Sequence, residues 1–322
     1  MKSLIVGLFF CAAGLLFSSA AEDVPVAQDE IVPPNDAWVN KIRSLAPAEA
    51  SVKPAKPRKV LLYSEATGYQ HDVIPHVVEV LKVLAEKTQA FEIVESSDIA
   101  DFASDSLANY DAVILNNTCS ARPERNLFLD VLRSEERFAR LSDEKREAIA
   151  SGLEKDLLSF VRSGKGIVGI HGAINILNNS DDFSRMMGGS FDMHPKRQDL
   201  TLIPVEPAHP LLAAFDGQSF SHNDEPYIFK NDYQKMNFRP LLEMDISSLD
   251  EQTQEHKKVV GMKRYVAWIK PFGAGRVFYV SPSHQPESYE SAKMLQFYLD
   301  GIQYALGDLA CDDSVVGVKE SE

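Results

Sequence analysis

The sequence predicts an α/β protein built on an open, mostly parallel sheet with helices on both faces. Short apolar runs rich in β-branched residues are typical of buried parallel strands, and helical patterns alternate with these runs along the chain. Gly166–Ile170 is one such run, and it is followed at once by His171, Gly172 and Ala173, a sequence typical of a sharp strand-to-helix turn. Alternation of this kind favours a parallel sheet.

The individual elements follow from the same patterns. The first strand is expected at 59–63. Pro75 suits the first turn of a helix whose apolar stripe runs from Ile74 to Leu84. Ser142 is a suitable N-cap for a long helix over 142–163, since two acidic residues follow it. Further strands are predicted at 91–94, 111–116, 166–170, 200–205, 226–229 and 276–280, and a last helix at 287–306.

The first 58 residues are expected to precede the folded domain. Lys2, an apolar run over 4–17 and small residues over 18–21 are typical of a signal peptide cleaved near Ala20 or Ala21, which predicts export to the periplasm or the outside. That run is too short to span a bilayer comfortably, so we expect no stable membrane span in the mature form. The prolines of residues 22–58 indicate a linker or pro-region, with room for a short helix at 36–45.

Composition and charge exclude one class of partner. The chain has 322 residues, 44% of them hydrophobic, and a formal net charge of −14. No basic segment is dense enough to displace phosphate counterions, so we expect no nucleic-acid partner. Export would permit a disulfide between Cys119 and Cys311, although the sequence does not show whether they pair.

Polar side chains follow the predicted strand ends. In open α/β sheets, ligands bind beyond the C-terminal ends of the strands. The turn at His171 carries an imidazole where a hydrolase would carry a nucleophile. With His71 and His284 it could supply the three ligands of a catalytic zinc site, or neutral groups that hydrogen-bond a sugar. Other polar residues near these ends are Tyr69, Asn116, Asn117 and Asn175.

Residues 180–260 are expected to form an irregular insertion over the strand C-terminal edge. In a covering loop, Asp224 or Glu225 could act as a general base or a metal ligand. His194 could line the pocket or serve a structural role. Trp268 could stack on a sugar ring, although its strand-like surroundings are equally consistent with core packing.

These motifs together resemble the ThuA-like (trehalose utilisation) family. The matching segments, in order, are 68–71, 164–173, 188–191, 194–195, 209–210, 224–227, 267–268, 275–279 and His284. The resemblance implies a ThuA-like domain over 59–309, a C-terminal tail over 310–322, and a flavodoxin-like, class I glutamine amidotransferase-like fold. It also implies a role in the metabolism of trehalose, related disaccharides or their keto derivatives.

Two departures from the family pattern stand out. Pro282 and Ser283 precede His284 where similar proteins commonly have Leu and Gly, and Asn175 stands where an Asp is often found. The amidotransferase nucleophile is absent, so we expect no glutamine hydrolysis.

We therefore expect an exported protein that acts on or binds a sugar. His171, Glu225 and Asp224 are the predicted catalytic residues, and a divalent metal such as zinc is a candidate cofactor on His71, His171 and His284. The predicted substrate-binding residues are Tyr69, His71, Asn116, Asn117, Asn175, His194, Trp268 and His284. The reaction stays open among isomerase, lyase and hydrolase chemistry. The alternative is a non-catalytic carbohydrate-binding protein or partner subunit, and a partner oxidoreductase or a homo-oligomer is also left open.

Overall fold

The computed structural model describes residues 31–261 and 264–315 of the chain. The predicted signal peptide lies outside them. The strands are β1 (Lys59–Tyr63), β2 (Glu92–Ser96), β3 (Ala112–Asn116), β4 (Gly166–Ile170), β5 (Ser190–Met193), β6 (Gln198–Pro204), β7 (Phe220–Asp224), β8 (Ile228–Lys230), β9 (Arg239–Asp245), β10 (Tyr265–Phe272) and β11 (Gly275–Val280). The α-helices are α1 (Asp36–Leu45), α2 (Ile74–Thr88), α3 (Ser104–Leu107), α4 (Leu127–Ser134), α5 (Asp143–Arg162), α6 (Asp181–Met187), α7 (Glu251–Gln254) and α8 (Ala292–Ala305).

A mixed nine-stranded sheet has the strand order β2-β1-β3-β4-β11-β10-β9-β6-β7. The first five strands in this order, β2, β1, β3, β4 and β11, are parallel to one another. The remaining pairings, from β11–β10 to β6–β7, are antiparallel. The predicted α/β class is thus confirmed. The sequence did not predict β9, or β10 over its whole length, because Pro240 and Pro271 lie within them and proline argues against a strand.

The predicted insertion extends the main sheet and also reaches the ends of the parallel strands. Three of its strands, β6, β7 and β9, extend the main sheet, whereas β5 and β8 pair with each other in a separate two-stranded sheet. The end of β7 lies against the ends of the parallel strands, since its last residue, Asp224, accepts a hydrogen bond from the amide of His284 just beyond β11. The insertion therefore reaches the edge at which the fold class predicts a ligand.

Helices cover both faces of the sheet, as predicted. In β1, Val60 and Leu62 belong to one hydrophobic core, which includes residues of α2 and α8. Leu61 and Tyr63 belong to a second core with residues of α4, α5 and α6. This alternation is the period of two that a strand buried on both faces requires.

The described part of the predicted linker contacts the domain. The predicted helix at 36–45 is confirmed as α1, whose N-cap Asn35 accepts a hydrogen bond from the Trp38 amide at 3.0 Å. Its Ile42 is fully buried in the core that also contains α2. Further along, the Val52 amide donates to Gln303 Oε1 on α8 at 3.2 Å. Residues 36–58 therefore pack along the domain.

Two further expectations concern membranes and thiols. No helix within residues 31–261 and 264–315 is both long enough and apolar enough to cross a membrane. Cys119 and Cys311 are both free thiols and do not form a disulfide.

Candidate metal centre

The turn after β4 holds His171 in an unusual backbone conformation. His171 has φ +49°, in the left-handed region that non-glycine residues seldom adopt. Such a residue costs of order 1–3 kcal/mol and persists only where its surroundings fix it. Here the Tyr279 hydroxyl on β11 donates to the His171 carbonyl oxygen at 2.9 Å. Gly172 is needed at the next position, since a Cβ there would lie 2.6 Å from Cys119 Sγ.

The three imidazoles predicted to converge do so. The ring centroid of His71 lies 4.9 Å from that of His171 and 5.0 Å from that of His284. His284 Nδ1 is 3.1 Å from His171 Nε2. These residues come from three different strand ends: His71 follows β1, His171 follows β4 and His284 follows β11.

Glu225, from the loop after β7, joins the three imidazoles. Its Oε2 lies 3.4 Å from both His171 Nε2 and His284 Nδ1. One candidate ligand atom from each of His71, His171, His284 and Glu225 lies within 4.8 Å of the others. Three imidazoles and a carboxylate are a donor set that zinc and other first-row metals accept. The sequence had offered Glu225 as a general base or a metal ligand, and the structure places its carboxylate beside the imidazoles.

The protonation of His171 is fixed by its other neighbour. Its Nδ1 lies 2.7 Å from the Ser281 carbonyl oxygen, which can only accept, so Nδ1 carries the proton. In the neutral ring Nε2 then presents its lone pair to the cluster. A ligating histidine commonly donates its second N–H to a backbone carbonyl in this way.

Burial and neighbouring charges shift the pKa values within the cluster. Burial lowers the pKa of His71 well below the ordinary imidazole value, and nearby His171 and His284 lower it further. Burial and His171 lower the pKa of His284 to about 4. Burial opposes charge on His171 as well, but hydrogen bonding and charge from Glu225 raise its pKa overall. Glu225 responds in the opposite sense: burial would raise its pKa, yet His171 lowers it.

Asp224, a predicted catalytic residue, lies in a buried network of hydrogen bonds beside the cluster. The side chain is fully buried, and Oδ2 accepts hydrogen bonds from the His284 amide at 3.1 Å and the Ser288 hydroxyl at 3.2 Å. His222 Nε2 lies 3.1 Å from the same oxygen, and Oδ1 accepts from the Glu225 amide at 2.7 Å. A carboxylate with these partners and no solvent access fixes the loop that carries Glu225 and His284.

Three predicted substrate-binding residues are structural. Trp268 is fully buried and donates from Nε1 to the Met187 carbonyl at 2.7 Å, so it cannot stack on a sugar. Asn116 is fully buried and donates to the Ile74 carbonyl at 3.1 Å. Asn117 is also buried and donates to Asn116 Oδ1 at 3.1 Å. These side chains support the strand ends and do not reach a ligand.

The remaining predicted residues surround the cluster. The Tyr69 ring packs edge-on against His71, with centroids 4.7 Å apart. Asn175, at the end of the turn that begins with His171, accepts a hydrogen bond from Arg125 Nη1 at 3.2 Å. His194 Nδ1 lies 3.4 Å from Glu225 Oε1, the carboxylate oxygen that faces away from His171. Cys119 is 4.0 Å from His71 Nδ1, and burial raises its pKa to about 12, so it stays a neutral thiol.

Sequence reasoning missed two supports of this site. The Tyr227 ring lies 4.3 Å from that of His171, centroid to centroid, and shields it on one side. His222 Nε2 contacts Asp224 Oδ2. The alternation of a strand could have indicated His222, since residues 222 and 224 point to the same side of β7.

Access to the cluster is narrow. The side chain of His171 is fully buried, and those of His284 and Glu225 are 8% and 12% exposed. His194, which borders the cluster, is more accessible, with 37% of its side chain exposed. The space between the imidazoles therefore suits an ion, and the site is most open on the side of Glu225 and His194.

Fold and site together define a class of protein. This is an α/β protein with a mixed central sheet, in which the turn after β4 carries a histidine within a His/Glu cluster. The ThuA family profile, described as trehalose utilisation, matches residues 59–305. The chain belongs to the ThuA family.

Solved structures agree on the fold. A putative ThuA-like protein from Bacteroides uniformis superposes with a TM-score of 0.57 at 16% identity, covering 80% of this chain and 94% of its own. A putative ThuA-like protein from Parabacteroides merdae has a TM-score of 0.52 at 16% identity, covering 81% and 96%. A comparison with proteins of curated function found no match.

Proposed function

We propose that this protein binds a divalent transition metal, zinc in the first instance, through His71, His171, His284 and Glu225. The observation that carries the proposal is the approach of these four ligand atoms to within 4.8 Å of one another. Burial lowers the pKa values of His71 and His284 and keeps both imidazoles neutral. Each neutral ring has one nitrogen with a free lone pair, and these nitrogens lie close to Nε2 of His171. A cation satisfies lone pairs that would otherwise face one another in a dry site.

The proposed substrate is a sugar, in keeping with the trehalose-utilisation role of the family. The side chains best support removal of a proton from a carbon beside a carbonyl, as in an oxidised sugar. His194 is the base in this proposal, because it is the most exposed imidazole of the site. Its Nδ1 lies 2.9 Å from the Pro195 carbonyl oxygen, to which it donates, so Nε2 is left as the proton acceptor.

Glu225 links the base to the metal ligands. One of its carboxylate oxygens lies beside His171 and His284, and the other lies beside His194. The carboxylate stabilises the imidazolium that forms when His194 takes a proton. A bound metal would stabilise the negative charge on the substrate oxygen.

Metal analysis of the purified chain tests the metal proposal. We expect about one zinc per chain after loading, and we expect His171→Ala and His284→Ala to lose it. His256→Ala is the matched control, since His256 lies outside the cluster and its imidazole Nδ1 accepts a hydrogen bond from the Lys258 amide. Zinc that stays bound in both cluster variants, or no zinc in the wild type, would show that the cluster is not a metal site.

Assays with a panel of keto-sugars test the catalytic proposal separately. His194→Ala should abolish turnover and retain the metal, because His194 is not among the proposed ligands. A metal-loaded wild-type protein that binds sugar without converting it would instead favour the non-catalytic carbohydrate-binding alternative.

We also propose that the protein is exported after cleavage near Ala20 or Ala21. The support is the composition of residues 2–21. N-terminal sequencing of the mature chain from its native host tests this, and a mature protein that begins at Met1 would contradict it.

A further inference from the structure

A second cavity lies beside the metal cluster, and its lining is basic. It encloses about 410 Å³, within the range of roughly 300–1,000 Å³ typical of small-molecule sites. Three cations line it: Arg122, Arg125 and Lys230. The lining also includes the carboxylate of Asp192, which lies 2.6 Å from Lys258 Nζ and is neutralised there. In a chain with a net charge of −14, such a concentration of positive charge is a local exception.

The three cations have no carboxylate partner. Within residues 31–261 and 264–315, none of Arg122, Arg125 and Lys230 has an ion pair within 4.0 Å. Arg125 is half-buried and donates from Nη1 to the Ser120 carbonyl and Asn175 Oδ1, both neutral acceptors at 3.2 Å. Burial lowers its pKa, and so does the positive charge of Arg122. Asp130 is the acidic side chain whose charge favours the cationic form of Arg125, but it makes no ion pair with it. Neighbouring cations without a paired carboxylate are stabilised when an anion binds between them.

The backbone conformation of the loop fixes Arg125 at the cavity. Arg125 has φ +54°, a conformation that costs a non-glycine residue of order 1–3 kcal/mol. Its amide donates to the Ala121 carbonyl at 3.0 Å, which closes the loop tightly. Arginine at such a position holds its guanidinium as a planar donor, the geometry that carboxylate and phosphate groups accept in pairs.

The cavity is one layer of side chains from the metal cluster. Asn175, which holds Arg125, ends the 3₁₀ turn that begins at His171. On the other side, Asn178 lines the cavity and pairs with the backbone of Phe191, whose ring packs on Tyr227. Tyr227 in turn packs on His171. Asn175 and Asn178 therefore connect the cavity to the residues that surround His171.

We propose that this cavity is an anion subsite, and that the ligand of the site is a sugar that carries a carboxylate or a phosphate group. The inference rests on the proposed function and specifies its substrate class. Arg122, Arg125 and Lys230 bind the anionic group, and the sugar extends from it towards Glu225 and His194.

Calorimetric titration of the zinc-loaded, full-length mature chain tests the subsite. The probes are glucose, glucuronate, glucose 6-phosphate and inorganic phosphate. We expect at least one of the two anionic sugars to bind about tenfold or more tightly than glucose. The stronger of the two identifies the anionic group, and inorganic phosphate should compete with it.

Charge variants carry the decisive comparison. The Arg122→Gln/Arg125→Gln double variant should reduce the affinity for the anionic sugar to that for glucose, with little change for glucose itself. Asn175→Asp keeps the shape but places a carboxylate against Arg125, and it should weaken anion binding in the same direction. Lys155→Gln, on the exposed surface of α5, is the matched control and should change nothing.

The outcomes separate this inference from the metal proposal. Equal binding of neutral and anionic sugars, or anion binding that survives the double variant in a folded protein, overturns the subsite even when the zinc content is normal. Anion preference in a chain that binds no zinc after loading sustains the subsite and contradicts the metal proposal. Thermal unfolding of each variant shows whether it is folded, and Asn175→Asp provides the test should the double variant fail to fold.

Discussion

Replacement of Asp224 by alanine should destabilise the protein strongly, although the residue touches no ligand. The carboxylate is fully buried and accepts from the amides of His284 and Glu225 and the hydroxyl of Ser288, while His222 lies beside it. In the variant, at least two buried donors lose their acceptor, each at a cost of about 1–3 kcal/mol. His222 also loses its partner, so the total is about 3–5 kcal/mol.

Urea unfolding measures this cost. With a slope of about 3 kcal/mol per molar for a domain of this size, the midpoint should fall by about 1 M or more. Asp199→Ala is the matched control on the neighbouring strand β6. Asp199 is exposed and accepts one hydrogen bond from Asn223 at 2.7 Å, so its loss should change stability by less than about 0.5 kcal/mol.

Zinc titration gives the second measurement for Asp224→Ala. The backbone of His284 is released in the variant, so zinc affinity should fall about tenfold or more, in the range that loss of a supporting residue produces at metal sites. A destabilisation below about 1 kcal/mol together with unchanged zinc affinity would refute the view that Asp224 holds the loop in place.

Three further predictions concern other parts of the fold. Burial lowers the pKa of Lys270 to about 8, below the unfolded value near 10.4, so the unfolded chain binds more protons between these pH values and stability should rise with pH there. Lys270→Met should remove that rise, up to about 1.4 kcal/mol per pH unit, and urea midpoints of both proteins at pH 7 to 10 check it. Gly172→Ala should lower zinc affinity, because the added Cβ would lie 2.6 Å from Cys119 Sγ and 3.0 Å from the His71 ring. Gly152→Ala in α5 is the control, since a Cβ there meets nothing within 4 Å. It should leave zinc binding intact and stabilise the helix by up to about 1 kcal/mol. Trp268→Phe should cost about 1–3 kcal/mol in unfolding measurements through lost packing and a lost hydrogen bond, and leave sugar affinity unchanged; weaker sugar binding in a stable variant would contradict its assignment to the core.

The parallel half of the fold could be read from the sequence, and the antiparallel half could not. Strands such as Gly166–Ile170 are buried on both faces and appear as unbroken apolar runs of β-branched residues. β9 begins Arg239-Pro240, and β10 ends with Pro271-Phe272 after a buried Lys270, so neither shows a clean pattern. Their pairing depends on neighbours that are distant in sequence, which local propensity does not contain.

The candidate site divides in the same way. His71, His171 and His284 could be placed together because each follows a parallel strand, and the ends of parallel strands share one edge. The different roles of Asp224 and Glu225 could not be separated, since adjacent carboxylates in a loop look alike in sequence. Only the structure shows that Asp224 turns into the protein and Glu225 towards the imidazoles. Arg122 and Arg125 likewise look like an ordinary polar loop until that loop is seen beside Asn175.

Different parts of the chain place the site and supply its other side chains. The fold and the family therefore indicate where the site lies more readily than which reaction it performs. The turn after β4 sets the direction of His171 and would serve a nucleophile equally well. The groups proposed to decide the chemistry, Glu225 and His194, come from the insertion between β4 and β10. A shared fold at 16% identity does not by itself define what the site does, because function depends on the side chains of the site. Experiments on Glu225, His194 and the basic cavity will consequently define the reaction more directly than further comparison of the sheet.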